Sequence, residues 1–298
     1  MNKILHANVN QTYEFVAFAT TKGYSIFSLL PWEEKDSYDF GGSLLQVHML
    51  YTTNILVGVG GNTLPVAQGG DRVLFVWDMK RRTNLHTIQR QDPITDVSVT
   101  MRYICISVAK SVEIISMNTC VPLFSFPGAY SSPIDIRAYT ENSLLCFQDT
   151  KKGHMCIWHN DQLVHLRTHK SAIKQCQITK DCLHIYTFSE ESMHIKGFSV
   201  RDDFKEIACI DVPDKCSAVR SWFISSCGLF SFVHYTNHHV VVLHKKYCWE
   251  CFTPNIIFCT FLESTEKYPI ILMRTKERLF TLQLRHNNCF AIIDNKRI

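Results

Sequence analysis

Apolar residues along this chain fall into short runs in which apolar and polar positions alternate, as in YEFVAFA, YSIFSL, SLLCFQ and HMCIWH, and a helical period is nearly absent. Turn residues punctuate the runs at Thr20-Thr21-Lys22-Gly23, from Asp149 to Gly153 and from Ser189 to Ser192. The pattern predicts one β-hairpin after another, and an all-β chain. The apolar or aromatic residue near the end of each predicted third strand is Phe27, Trp77, Ile115, Trp158, Phe198, Leu243 or Leu282, with steps of 50, 38, 43, 40, 45 and 39 residues. Their mean, about 42, falls in the period of roughly 40–45 residues of a four-stranded propeller blade. A two-sheet sandwich also uses short strands but imposes no such period. The expectation is a seven-bladed WD40-like β-propeller forming a single domain over residues 1–298, with Gly58 to Gly70 as an extended loop of the second blade.

Composition agrees with a folded core: 46% of the 298 residues are hydrophobic and only 19% charged. Apolar runs such as Val240 to Leu243 fall far short of the ~20 residues that span a bilayer, and Met1 to Gln11 lacks a signal-peptide hydrophobic stretch. The chain is expected to be neither secreted nor integral to a membrane. Its 13 cysteines are odd in number and scattered, which points to a reducing, cytosolic compartment rather than a disulfide framework. The net charge is only +4, with basic residues gathered in short runs at Lys80-Arg81-Arg82, Lys151-Lys152, Lys245-Lys246 and Lys296-Arg297. Such runs read as solvated turns able to touch an anionic surface, and they form no continuous basic stripe for nucleic acid.

Candidate chemistry is sparse. Trp77-Asp78 marks a blade, the tryptophan packing and the carboxylate capping a turn. His244, Cys248 and Cys251 form H-x3-C-x2-C, a single CxxC without a fourth ligand, and read as strand residues, so no metal or cofactor is expected. No hydrolase, zincin, phosphate-loop or dinucleotide motif occurs, and the adjacent acids Glu190-Glu191 and Asp202-Asp203 point to opposite faces of β structure, so no enzyme is expected. His234, His238 and His239 crowd one hairpin and read as exposed residues.

Several segments resemble the PROPPIN family, the seven-bladed phosphoinositide-binding propellers of autophagy that include the WIPI proteins. FVAFATTKGYSIFSLLPW is similar to that family's opening blade, and Gly41-Gly42 followed by VHMLYTTNILVGVGG to its Gly-Gly, Met-Leu and Val-Gly-x-Gly pattern. RVLFVWDMKRR and DPITDVSVTMRYICISVAKSVEIISM resemble its second and third blades, Thr168-His169-Lys170-Ser171 its Ala-His-Lys-Ser segment, and YTFSEESMHIKGFSV its fifth. The resemblance implies a non-enzymatic peripheral membrane adaptor, cytoplasmic and recruited to vacuolar, endosomal or preautophagosomal membranes. Its implied ligands are phosphatidylinositol 3-phosphate or 3,5-bisphosphate, and its implied protein partner an autophagy lipid-transfer or trafficking protein met by the second-blade loop, here at Arg72.

The family's two lipid sites flank a Phe-Arg-Arg-Gly motif, which is missing. Counting on from Phe198-Ser199-Val200, its positions fall at Ile210-Asp211-Val212-Pro213, so an acid and an apolar residue stand in place of two guanidinium forks. What the resemblance still implies for lipid binding is His169, Ser171 and Ser189, with Lys196 in place of an arginine and Met193 in place of a hydroxyl residue, and Arg220 and His239 on the sixth blade. The family's long membrane-inserting loop is reduced to HKKYCWECFTP, which leaves Tyr247, Trp249 and Phe252 as its apolar residues. The expectation is weakened lipid binding, with a protein-interaction scaffold that has lost it as the alternative.

Overall fold

In a computed structural model of the chain, every regular element but one 3-10 turn, Gly70–Arg72, is a β-strand among the described residues. Those residues are 3–61, 70–129, 132–139, 142–159, 161–189, 191, 193–212, 221–224, 231–234, 239–244, 247–252, 256, 258–262, 270–275, 278–284 and 290–297. Four consecutive strands make each sheet. The first holds β1 (Ile4–Val9), β2 (Phe15–Thr20), β3 (Gly23–Ser28) and β4 (Glu33–Asp39); the second β5 (Leu44–Met49), β6 (Ile55–Gly60), β7 (Val73–Asp78) and β8 (Thr83–Gln89). The third holds β9 (Ile94–Val99), β10 (Tyr103–Val108), β11 (Ser111–Ser116) and β12 (Pro122–Pro127); the fourth β13 (Ile134–Tyr139), β14 (Asn142–Gln148), β15 (His154–His159) and β16 (Gln162–Arg167). The fifth holds β17 (Gln175–Ile178), β18 (His184–Ser189), β19 (His194–Ser199) and β20 (Lys205–Asp211). The sixth is β21 (Ser221–Ile224), β22 (Ser231–His234), β23 (His239–His244) and β24 (Tyr247–Phe252); the seventh β25 (Phe258–Leu262), β26 (Ile270–Arg274), β27 (Arg278–Leu284) and β28 (Phe290–Arg297). Consecutive four-stranded sheets repeated along a chain are the plan of an all-β propeller.

Each marker residue of the sequence period is the fifth residue of its sheet's third strand. A β-bulge sits just before it, between the fourth and fifth residues of β3, β7, β11, β19 and β27. The extra residue lies on the fourth strand, Lys35 in β4, Leu85 in β8, Leu123 in β12, Ile207 in β20 and Ile293 in β28, and it sharpens the twist of that strand as it leaves the last hairpin. The hairpin itself repeats a chemistry. Asp78, Ser116 and Ser199, the sixth residues of β7, β11 and β19, accept through their side chains the backbone N–H three residues on, at Arg81 (2.9 Å), Thr119 (3.3 Å) and Asp202 (3.3 Å). The following residue is left-handed each time: Arg82 at φ 54°, Cys120 at 55° and Asp203 at 51°. Asp78 is thus the turn-capping carboxylate expected of Trp77-Asp78, and it also accepts from Asn54 Nδ2 at 2.6 Å.

The chain divides into two compact units, residues 1–151 with 156–165, and 152–155 with 166–298. In the first, inner strands are buried on both faces because alternate residues feed two different cores. Phe75 and Trp77 pack toward the first sheet with Tyr24, Ile26, Leu44 and Val47, whereas Leu74 and Val76 pack toward the third with Val97, Ile104 and Ile115. Trp158 joins Val112, Ile114 and Phe147 in a third cluster. Trp77 and Trp158 therefore lie between neighbouring sheets as the period implies. Phe27 does not join the core shared by the first two sheets: it stacks on Trp32 at 4.9 Å and meets Phe18 edge-on at 5.9 Å, within its own sheet. The reason is directional: the marker position faces the preceding sheet, as Trp77 does toward the first and Trp158 toward the third, so Phe27 points away from the second sheet. In the second unit, Ile178, Ile185, Phe188, Ile195 and Phe198 are among the buried apolar residues of the fifth sheet.

Outer strands are solvent-facing, β4 and β8 with mostly exposed residues. Cys105, Cys120, Cys156 and Cys209 carry free thiols. Among the described residues no helix is long and apolar enough to cross a membrane. Residues 62–69 of the expected second-blade loop lie outside the described residues.

Candidate functional site

The register of the fifth sheet gathers one polar face. Thr187 of β18 stands opposite Lys196 of β19, which stands opposite Cys209 of β20; two residues along, Ser189, His194 and Asp211 make a parallel row. Spacing of two on each strand puts all six on the same face. The segment before β17 adds two more groups. His169 Nε2 lies 2.9 Å from Thr187 Oγ1, and the buried hydroxyls of Ser171 and Ser189 are hydrogen-bonded to each other. Gly153 anchors this segment: its carbonyl accepts the N–H groups of Thr168 (2.9 Å) and His169 (3.0 Å). It holds φ at +75°, and a Cβ there would stand 2.2 Å from the His169 carbonyl oxygen, so only glycine fits.

His169, Ser171, Ser189 and Lys196 are thus brought together. The sequence reading missed their partners, however. Lys196 Nζ donates to Glu206 Oε2 at 2.8 Å, and His194 Nδ1 approaches Asp211 Oδ1 at 2.8 Å. Burial, reinforced by the positive charge of Lys196, lowers the His169 pKa to about 4, so its imidazole is neutral at physiological pH and offers a hydrogen bond rather than a charge. The face therefore carries hydroxyls, a neutral ring, and a lysine and a second imidazole that each have a carboxylate partner. It has the donors of an anion site with its positive charge already answered.

Asp211 and Val212, the positions aligned with the missing arginines, differ sharply in environment. The Asp211 side chain is 84% exposed. Val212 is buried, and its N–H donates to the Met193 carbonyl at 2.8 Å. Met193 is left-handed, at φ 51°. Arg72 ends the 3-10 turn before β7 with its side chain exposed, its carbonyl accepting the Arg90 N–H at 2.9 Å. Arg220 lies outside the described residues, as do Pro213, His238 and the side chain of His239; the backbone of His239 opens β23 opposite Phe252. Cys248 and Cys251 both fall on β24, paired with Leu243 and Val240 of β23, and their side chains lie outside the described residues.

No protein-family model matches the chain. Solved structures do. Hsv2 of Kluyveromyces marxianus superimposes with a TM-score of 0.81 at 15% identity, covering 100% of this chain and 99% of that one. Hsv2 of Kluyveromyces lactis gives 0.80 at 13% identity, with 99% of each chain covered. KlAtg21, solved in complex with the coiled-coil of AgAtg16, gives 0.80 at 12% identity over 99% of this chain and 100% of that one. These are PROPPIN structures, and across its whole length the chain shares the all-β propeller fold with them.

Proposed function

We propose that the chain is a non-enzymatic adaptor of the PROPPIN type, its seven sheets serving as the blades of one propeller domain. It acts peripherally on vacuolar, endosomal or preautophagosomal membranes, where weak headgroup contacts add to contacts with an autophagy lipid-transfer or trafficking protein. Linked weak contacts raise overall binding without new chemistry. The observation that carries the reading is the fifth-sheet face of His169, Ser171, Ser189, Thr187 and Lys196, with Glu206 on the lysine and Asp211 beside His194. A phosphate reaching Lys196 must displace Glu206. Losing a charge-assisted hydrogen bond costs about 1.5–3 kcal/mol, a weakening of roughly 10- to 150-fold per site. The complex of KlAtg21 with a coiled-coil supports the protein side of the reading, for which Arg72 is the exposed candidate.

Liposome sedimentation tests it. The unmodified protein is expected to prefer vesicles containing phosphatidylinositol 3-phosphate or 3,5-bisphosphate only slightly over phosphatidylserine controls. Glu206→Gln, which releases Lys196, is expected to widen that preference severalfold. Asp211→Arg alone is the appropriate restoration, because Val212→Arg would bury a guanidinium. No headgroup preference in either variant would favour the second reading, a scaffold that has lost lipid binding, for which the carboxylate on Lys196 already argues.

A further inference from the structure

Asp149, Cys156 and His165 converge on the fourth sheet. Asp149 follows β14, Cys156 lies on β15 and His165 on β16. His165 Nδ1 stands 2.7 Å from Asp149 Oδ2 and 3.4 Å from Cys156 Sγ. One sulfur, one ring nitrogen and one carboxylate oxygen lie within 4.8 Å of one another. The triangle is closed inward, where Cys156 is 1% exposed, and open outward, where the His165 side chain is 54% exposed.

A nucleophile–base–acid relay does not fit, because it places thiol and carboxylate on different ring nitrogens, whereas both crowd Nδ1 here. A shared cation does fit. Sulfur, nitrogen and oxygen donors around one point suit a borderline-soft divalent ion. We propose that Asp149, Cys156 and His165 form a three-ligand zinc site whose fourth position opens to solvent. Zn–N and Zn–O bonds of about 2.0–2.2 Å and a Zn–S bond of about 2.3 Å set donors roughly 3.3–3.6 Å apart. The sulfur–nitrogen distance already matches, and the nitrogen–oxygen pair opens by about 0.6 Å when the ion replaces the hydrogen between them. Thr150 Oγ1 bonds the other carboxylate oxygen, Asp149 Oδ1, at 3.0 Å, which leaves Oδ2 for the metal. On binding, the Cys156 S–H bond breaks and an S–Zn bond forms. Its proton leaves to solvent, and His165 keeps its ring hydrogen on Nε2. The ion would pin the segment after β14 to β15 and β16.

Cobalt(II) is the visible probe. Titrated into the reduced, chelator-treated full chain, it is expected to bind once with a thiolate-to-metal charge-transfer band. That band should vanish in Cys156→Ala, weaken at least tenfold in affinity in His165→Ala, and persist in Cys209→Ala, which spares this site and removes a thiol from the exposed cluster of His194, Cys209 and Asp211. Zinc should displace the cobalt and raise the melting temperature of the unmodified protein. Absence of the band, its survival unchanged in His165→Ala, or its loss in Cys209→Ala would each overturn the assignment. His165 is exposed enough to be replaced without unfolding the sheet, so the test stands even if Cys156→Ala fails to fold.

Discussion

His6 and His48 face each other with ring centroids 5.3 Å apart, and His6 Nδ1 accepts the Val47 N–H at 3.3 Å. Burial lowers the His6 pKa to about 4, and it lowers that of His48 well below 6.5, aided by the neighbouring ring. His169 is lowered to about 4. These groups protonate more readily unfolded, so their contribution is complete above pH 6.5 and is lost as pH falls toward 4. Asp96 works the other way. Burial raises its pKa to about 7, although it accepts the Ile134 and Val97 N–H groups, both at 2.9 Å, so its contribution is lost as pH rises from about 4 toward 7. Each pKa unit is worth about 1.4 kcal/mol, and three histidines outweigh one aspartate. Stability in urea should therefore climb from pH 4 to about 7 and level off above it. A monotonic fall across the acid range would refute the histidine assignment. The histidines' partners are distant in sequence, His6 meeting Val47 and His48, and His169 meeting Thr187, and that is why a histidine-rich composition alone does not disclose them.

At the scale of the element, third strands are legible from sequence because burial on both faces demands near-continuous apolar runs, while the marker position demands a large side chain for the gap to the preceding sheet. Bulges and side-chain pairings are not legible: Glu206 meets Lys196 only once the bulge between Gly197 and Phe198 has shifted the register of β20. The four candidate groups on the fifth sheet could be picked out by resemblance, but the carboxylates that answer them could not. Gly58 illustrates a position where the element dictates the residue. It lies opposite Phe75, and a Cβ there would stand 2.4 Å from the end of that ring. The ring is held by Phe40 at 5.6 Å and is buried between sheets, so it has little room to yield. Gly58→Ala should cost about 1–3 kcal/mol by overpacking. Adding Phe75→Leu should recover part of the loss; additive losses in the double variant would show that the ring is not the obstacle.

For the whole molecule, several basic residues, two of them from the basic runs visible in sequence, are answered within the fold. Arg82 is bonded to Asp36 and to Tyr24, Lys152 to Glu191 at 3.0 Å, and Arg90 to Glu113 at 2.8 Å. What remains to attract an anionic bilayer is a small net charge, +4. At about 1 kcal/mol for each basic charge near the surface, four such charges supply roughly 4 kcal/mol, a millimolar affinity. Salt reduces it further, since the Debye length shrinks from about 30 Å at 0.01 M to about 8 Å at 0.15 M. Retention on phosphatidylserine vesicles should accordingly be measurable at low salt and fall by more than tenfold at physiological ionic strength, with Glu206→Gln retaining more than the unmodified protein. A lipid-loaded membrane carrying the protein partner should restore binding at physiological salt, because the second contact supplies the missing free energy. Micromolar, salt-resistant retention on pure lipid would instead require a specific headgroup contact stronger than the fifth-sheet face can make with its lysine engaged.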